Sequence, residues 1–213
     1  MLFRSQADDE VAREAGTALA LAGMRRGDVV GMNGDSAYVL ACDAFSTRGV
    51  TAIHELKGRG DFATAVLIGR EQTIDGIVEN VTAEMRLLIE AFWPGPLTFL
   101  ARPQRTLAWA ANREAISVRL PANEWTREIA ADLGPMVAVA ASRGANKAPT
   151  SATQAAEIWG SDVPIWLASG MADPAVQSTV LDCRGERLNI VRLGSLTASN
   201  LRQIVPSITM ISQ

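Results

Sequence analysis

Only two of the 20 basic residues are lysines, Lys57 and Lys147, and the chain holds one histidine, His54, one tyrosine, Tyr38, and two cysteines, Cys42 and Cys183. One histidine argues against a zinc site and against a Ser/His/Asp triad. His54 falls inside a helical pattern and reads as a helix-surface or core residue rather than a catalytic one. The cysteines lie far apart without CxxC or Cys/His spacing, so they read as reduced, buried thiols and not as a disulfide framework. The first ten residues have no long apolar core and soon turn acidic, so a secretion signal is not expected there. No run approaches the roughly 18 apolar residues of a membrane helix, so no membrane partner is expected and the expected location is the cytoplasm. A net charge of −3 argues against wholesale nonspecific binding of nucleic acid and leaves room for a local basic cleft.

What is present is an ordinary globular composition, 48% hydrophobic and 20% charged over 213 residues, enough for one large domain with a substantial core. Apolar residues at helical spacing predict helices from Asp8-Asp9 to Arg26, from Ser46 to Lys57, over 71–78, from Thr82 to Phe92, over 123–133, over 151–159 and from Thr197 to Ile204. Short apolar runs predict strands over 29–32, 37–42, 65–68, 97–101, 116–121, 136–141, 165–168, 180–182 and 188–192. The first two strands flank Asn33-Gly34-Asp35 and suggest a hairpin or tight bend with polar groups at its tip. Trp93-Pro94-Gly95-Pro96 ends a helix, since proline cannot continue the hydrogen-bond ladder. Hairpin-like strand pairs mixed with crossover helices predict an α/β (α+β) fold: a single domain over 1–213 with a mixed, not purely parallel, sheet.

Lys57 closes the second helix, with Arg59 two residues later between Gly58 and Gly60. If the backbone becomes extended there, both cations lie on one side and can hold a carboxylate, bicarbonate or phosphate group. A solvated helix end favoured by the helix dipole is the other reading of the same residues. Asp35, Ser36, Lys57, Arg59, Thr98, Arg119, Ser142, Thr179 and Arg192 all fall where strands meet loops, the usual place for ligand sites in open α/β sheets. No GxxxxGK[ST] loop and no GxGxxG after a strand is present, so a bound nucleotide would depend on side-chain cations rather than a backbone cradle.

Six stretches together resemble the YrdC/Sua5/TsaC family, in its order and at its spacings: 35–44 (DSAYVLACDA), Lys57-Gly58-Arg59, 92–98 (FWPGPLT), 118–121 (VRLP), 178–182 (STVLD) and 191–194 (VRLG). The resemblance spans about residues 10–205. It implies a YrdC-like domain, a twisted mixed sheet flanked by helices around a positively charged cavity. It further implies an L-threonylcarbamoyladenylate synthase, a nucleotidyltransferase that joins L-threonine, bicarbonate and ATP, the ATP accompanied by Mg²⁺, and releases pyrophosphate. The product donates its threonylcarbamoyl group to adenosine 37 of tRNA (t6A), and some members bind double-stranded RNA. The partners implied are therefore the three substrates, double-stranded RNA or tRNA, and proteins of t6A modification. By match to the family pattern, Lys57 and Arg59 are the catalytic residues and hold bicarbonate, carboxylate or phosphate oxygens. Thr98, Arg119, Ser142, Thr179 and Arg192 bind the nucleotide, and Asp35, Ser36 and Tyr38 face the substrate. No metal ligand and no nucleophile is called for, in keeping with a chain poor in Cys and His.

Three departures qualify this match. The family's Pro-Thr before the aspartate is Asn33-Gly34, which removes a hydroxyl expected near the threonine pocket. After Arg59, a Pro-Leu type stretch is Ala63-Thr64. The family's Ser-x-Asn falls on Ala140-Ala141-Ser142, losing a serine hydroxyl and shortening an amide to a hydroxyl. Each lost polar contact to a charged ligand costs on the order of 1.5–3 kcal/mol. Two alternatives therefore stand beside the synthase: a divergent paralogue that binds nucleotide or RNA without this synthesis, and a carbamoyl-adenylate enzyme acting on another amine.

Overall fold

The computed structural model describes residues 2–4, 10–58, 64–109 and 114–210. The Asp8-Asp9 cap expected for the first helix lies outside them. The elements, in chain order, are β1 (Leu2–Arg4), α1 (Glu10–Arg25), β2 (Val30–Asn33), β3 (Tyr38–Asp43), α2 (Thr47–Lys57), β4 (Thr64–Leu67), α3 (Thr73–Ile77), α4 (Ala83–Phe92), β5 (Leu97–Ala101), β6 (Ile116–Arg119), α5 (Glu124–Leu133), β7 (Met136–Ala140), α6 (Ala152–Trp159), β8 (Trp166–Ala168), β9 (Thr179–Asp182), β10 (Asn189–Arg192), α7 (Ala198–Ile204) and β11 (Thr209–Met210). Helix starts follow the sequence closely because polar caps fix them. Ser46, Thr82, Asn123, Ser151 and Thr197 each accept a hydrogen bond from the backbone N–H three residues on.

Among the described residues the strands form one sheet in the order β1-β8-β2-β3-β7-β4-β6-β5-β9-β10-β11. It is mixed, as expected. β2–β3, β3–β7, β4–β7, β5–β6 and β9–β10 are antiparallel, while β1–β8, β2–β8, β4–β6, β5–β9 and β10–β11 are parallel. β1 and β11 escape a reading of apolar runs because they are short edge strands.

The period-two alternation of strand side chains gives the sheet two apolar faces, each covered by helices. Tyr38, Leu40 and Cys42 pack with Val66, Val118, Phe99 and Leu181 against α2, α3, α4, α6 and α7. Met32, Ala41, Leu67 and Ala138 pack on the other side against α1 and α5, through Met24, Trp125 and Ile129. Where the Trp166 ring of β8 lies across its neighbour β2 a glycine is required: a Cβ on Gly31 would lie 1.9 Å from that ring. No helix of the described residues is long and apolar enough to cross a membrane.

Candidate functional site

The β2–β3 turn is built by its own polar side chains. Asn33 accepts the Asp35 N–H at 2.9 Å and donates its amide to the Ser169 carbonyl at 3.1 Å. Asp35 adopts φ 70°, and it is the one described non-glycine residue in the left-handed region. Aspartate tolerates that conformation better than most residues. Its carboxylate is thereby turned inward, where Oδ1 accepts from Asn123 N at 2.7 Å and Oδ2 from Ala122 N at 2.9 Å. Oδ2 also lies 3.2 Å from Nη2 of Arg119.

Arg119 is itself buried, 8% exposed, and is held from two segments, the β2–β3 turn and the residue before β9. Nη2 donates to the Gly34 carbonyl at 2.7 Å and Nη1 to the Ser178 hydroxyl at 2.9 Å, with Asp35 as counter-charge. Burial lowers its pKa from the usual value; Asp35 opposes that and nearby Arg192 adds to it. Arginine remains charged regardless. Arg192 donates through Nη2 and Nε to the carbonyl of the same Ser178, at 2.9 and 3.3 Å. Two guanidinium groups thus meet at one residue, and the carboxylate of Asp35 pairs with Arg119 alone, which leaves an excess of positive charge suited to a phosphate or carboxylate ligand.

The sheet register explains this convergence. Phe99 pairs with Val118, which sets Thr98 beside Arg119; Thr98 pairs with Val180, and Val180 with Arg192. Residues paired across strands share a face, so Arg119 and Thr98 lie in one transverse row, and a register irregularity in β10 between Ile190 and Arg192 brings Arg192 opposite Val180 at its end. Ser178, two residues before Val180, belongs to that face. Thr179 belongs to the other. Its buried hydroxyl donates to the Leu196 carbonyl at 2.7 Å and accepts from Gly194 N at 2.8 Å, which ties the β10–α7 loop to β9. The structure therefore brings Ser178, rather than Thr179, to the arginines.

Lys57 forms a second cluster. Its ammonium donates to the carbonyls of Ala140 and Ser142, at 2.9 and 2.5 Å, and to the Ser142 hydroxyl at 3.1 Å. A left-handed Gly58 closes α2. Arg59 lies outside the described residues. Tyr38 connects the clusters: its carbonyl accepts from Ala141 N at 2.8 Å, and its buried hydroxyl donates to the Gly170 carbonyl at 2.7 Å. Burial raises the Tyr38 pKa. Tyr38 is thus a core residue under the site, while Ser36 sits half-buried in the turn.

Burial pushes the Cys42 thiol up to about 12, Asp43 adding to the effect, and also raises Cys183. Such thiols are poor nucleophiles. Among the described residues no group of three or more His, Cys, Asp or Glu side chains is placed to hold a metal ion. A separate cleft of about 530 Å³ opens between α2 and the end of α6, lined by Arg48, Glu55, Leu56, Arg143 and Trp159. Arg143 there is already bonded to Asp162 and the Ile158 carbonyl and lies over the Trp159 ring.

Sequence reading missed Ser178, the Gly34 carbonyl and Asn123 as parts of the site. Ser178 was visible within STVLD, but only the register tells it apart from Thr179. The contribution of a backbone carbonyl leaves no mark in sequence.

Fold and site together define a mixed-sheet α/β protein in which two arginines, at the ends of β6 and β10, meet across the intervening β5 and β9. The chain belongs to the Sua5/YciO/YrdC family: the family model, described as telomere recombination, matches residues 22–194. It is 29% identical over 200 residues to a putative threonylcarbamoyl-AMP synthase of Mycobacterium tuberculosis, covering 92% of each chain. It is 25% identical to the threonylcarbamoyl-AMP synthase of Pyrococcus abyssi, over 87% of this chain and 56% of that one. The crystal structure of P. abyssi Sua5 complexed with L-threonine superposes with a TM-score of 0.86 at 23% identity, over 99% of this chain. This chain spans 62% of the length of that Sua5 chain. Escherichia coli YciO superposes with a TM-score of 0.78 at 17% identity, over 94% of this chain and 98% of that one.

Proposed function

We propose that this protein is an L-threonylcarbamoyladenylate synthase, forming threonylcarbamoyl-AMP and pyrophosphate from L-threonine, bicarbonate and ATP for t6A modification of tRNA. The observation that carries the reading is the meeting of Arg119 and Arg192 on Ser178, beside Thr98. All reactants are anionic or become so. The amine of threonine adds to bicarbonate with loss of water, or to its carbon dioxide with loss of a proton, to give a carbamate, and a carbamate oxygen then attacks the α-phosphorus of ATP as the bond to pyrophosphate breaks. Such chemistry needs positioning and charge stabilisation rather than a covalent nucleophile.

In this scheme Arg119 and Arg192 hold the phosphates through the N–H groups not spent on the chain, with the Thr98 hydroxyl alongside. Lys57, fixed at the end of β7, faces the carbamate or bicarbonate, and Arg59 joins it by resemblance. Mg²⁺ enters as the ATP complex, held by phosphate oxygens and water, as this ion commonly is. The whole of 1–213 acts as one domain in the cytoplasm, with tRNA and t6A-modification proteins downstream of the released adenylate.

One observation favours a second reading, a nucleotide- or RNA-binding paralogue without synthesis. Asn33 spends its amide on the turn, and Gly34 has no side chain, so neither supplies the family's hydroxyl. Pyrophosphate release from ATP that requires both threonine and bicarbonate supports the synthase. ATP binding with no release in the presence of any amino acid supports the paralogue.

A further inference from the structure

We infer that Asp35 is a positioning residue: it acts on the nucleotide through Arg119 and does not itself touch the amino-acid substrate. The inference rests on the nucleotide reading of the arginine pair and assigns a role within it. The carboxylate is enclosed, its side chain 9% exposed, and its oxygens are taken up by three donors of the same chain: Ala122 N, Asn123 N and Arg119 Nη2. A substrate amine would have to displace one of them. The backbone of Asp35 is tied as firmly, its N–H to Asn33 and its carbonyl to Asp173 N at 2.8 Å.

The same contacts decide where the guanidinium points. Asp35 and the Gly34 carbonyl hold Nη2, and the Ser178 hydroxyl holds Nη1, so the plane of the fork is fixed from two sides. A bidentate guanidinium is useful only when that plane is set. Ser178 carries the constraint onward, since its carbonyl receives Arg192. The left-handed backbone of Asp35 is the conformation in which one residue of a tight turn contributes both its carboxylate to Arg119 and its carbonyl to the 169–178 loop.

The test measures ATP and L-threonine affinity separately, by titration calorimetry, for wild type, Asp35→Asn, Arg119→Gln and the double variant. Asparagine keeps the size and tolerance of left-handed φ, and loses the charge that faces Arg119. The expected result is ATP binding weakened about tenfold with threonine binding unchanged, and no further loss on adding Asp35→Asn to Arg119→Gln, because both act through one group. Should Asp35→Asn fail to fold, Ser178→Ala removes the opposite support of the guanidinium and is expected to give the same split. Weakened threonine binding with ATP affinity intact overturns the inference, as do effects that multiply in the double variant. A wild-type protein that binds neither ligand overturns the inference and the proposed function together, whereas one that binds both and gives the wrong split overturns the inference alone.

Discussion

The ammonium of Lys57 lies between two oxygens of Ser142, 2.5 Å from its carbonyl and 3.1 Å from its hydroxyl. The carbonyl does not depend on the side chain, and the Ala140 carbonyl adds a further acceptor at 2.9 Å. Ser142→Ala should therefore leave Lys57 in place and reduce turnover by about tenfold at most, since two carbonyls still hold the ammonium when this one charge-assisted contact is lost. Lys57→Ala removes the charge itself and should cost about a hundredfold. Lys147→Ala, an exposed lysine, is the reference. Steady-state rates of the three variants check the order, and equal losses at Lys57 and Lys147 would remove the role given to Lys57.

Gly194 lies against the backbone of Gln177 and Ser178, and Ser178 is the residue that both arginines contact. A Cβ there would sit 2.2 Å from the Gln177 carbonyl oxygen and 2.6 Å from that of Ser178, the acceptor of Arg192. Backbone cannot yield as a side chain can. Gly194→Ala should therefore raise the KM for ATP about tenfold and destabilise the fold by about 2 kcal/mol, in the range of overpacking a tight site. A variant with wild-type melting and wild-type KM would show that the 177–178 segment has slack that its contacts do not suggest.

Arg119 and Asp35 are both about nine-tenths buried, at side-chain exposures of 10% and 9%. Removing one member leaves the other charge uncompensated, which typically costs about 3 kcal/mol or more. Arg119→Ala should lower the melting temperature by about 10 °C for a chain of this length. Combining it with Asp35→Ala should lose less than the sum of the single effects, as contacting residues do. Calorimetric melting of the four proteins measures this.

The thiols predict a dependence on pH. Cys42 is pushed up to about 12 and Cys183 is raised as well, both chiefly by burial, whereas unfolded cysteine titrates near 8.5. The unfolded state loses these protons first as pH rises. It then binds fewer protons than the folded state, so stability falls with rising pH from about 8.5 upward. Urea midpoints between about pH 8 and pH 10 should decline, and a Cys42→Ala, Cys183→Ala double variant should decline less steeply. A parallel slope would mean that the thiols are not the groups responsible.

Helices were legible because their signals are local. Ser46, Thr82, Asn123, Ser151 and Thr197 each stand before an apolar stripe and cap it, and the Asn33-Gly34-Asp35 hairpin follows from its turn chemistry. Strand order was not legible. β7 lies between β3 and β4, and β9 beside β5, through pairings that only the folded chain brings together. That order makes the site, because it sets Arg119 and Thr98 in one row and brings Arg192 to its end. It also separates Ser178 from Thr179, since adjacent residues of a strand face opposite ways. Asp35 was legible as a polar tip residue, and its enclosure by Ala122, Asn123 and Arg119 was not, as two of those contacts are with backbone N–H groups.

The central claim is that this chain makes a carbamoyl-adenylate of threonine. Its most direct test is mass spectrometry of the product formed by purified protein from ATP, Mg²⁺, L-threonine and ¹³C-bicarbonate, with each other amino acid tried in place of threonine. The account predicts an adenylate carrying one labelled carbon that appears only with L-threonine and disappears in Arg119→Gln. A labelled adenylate formed with a different amine and not with threonine would contradict the assigned substrate, and no adenylate with any amine would contradict the synthase altogether.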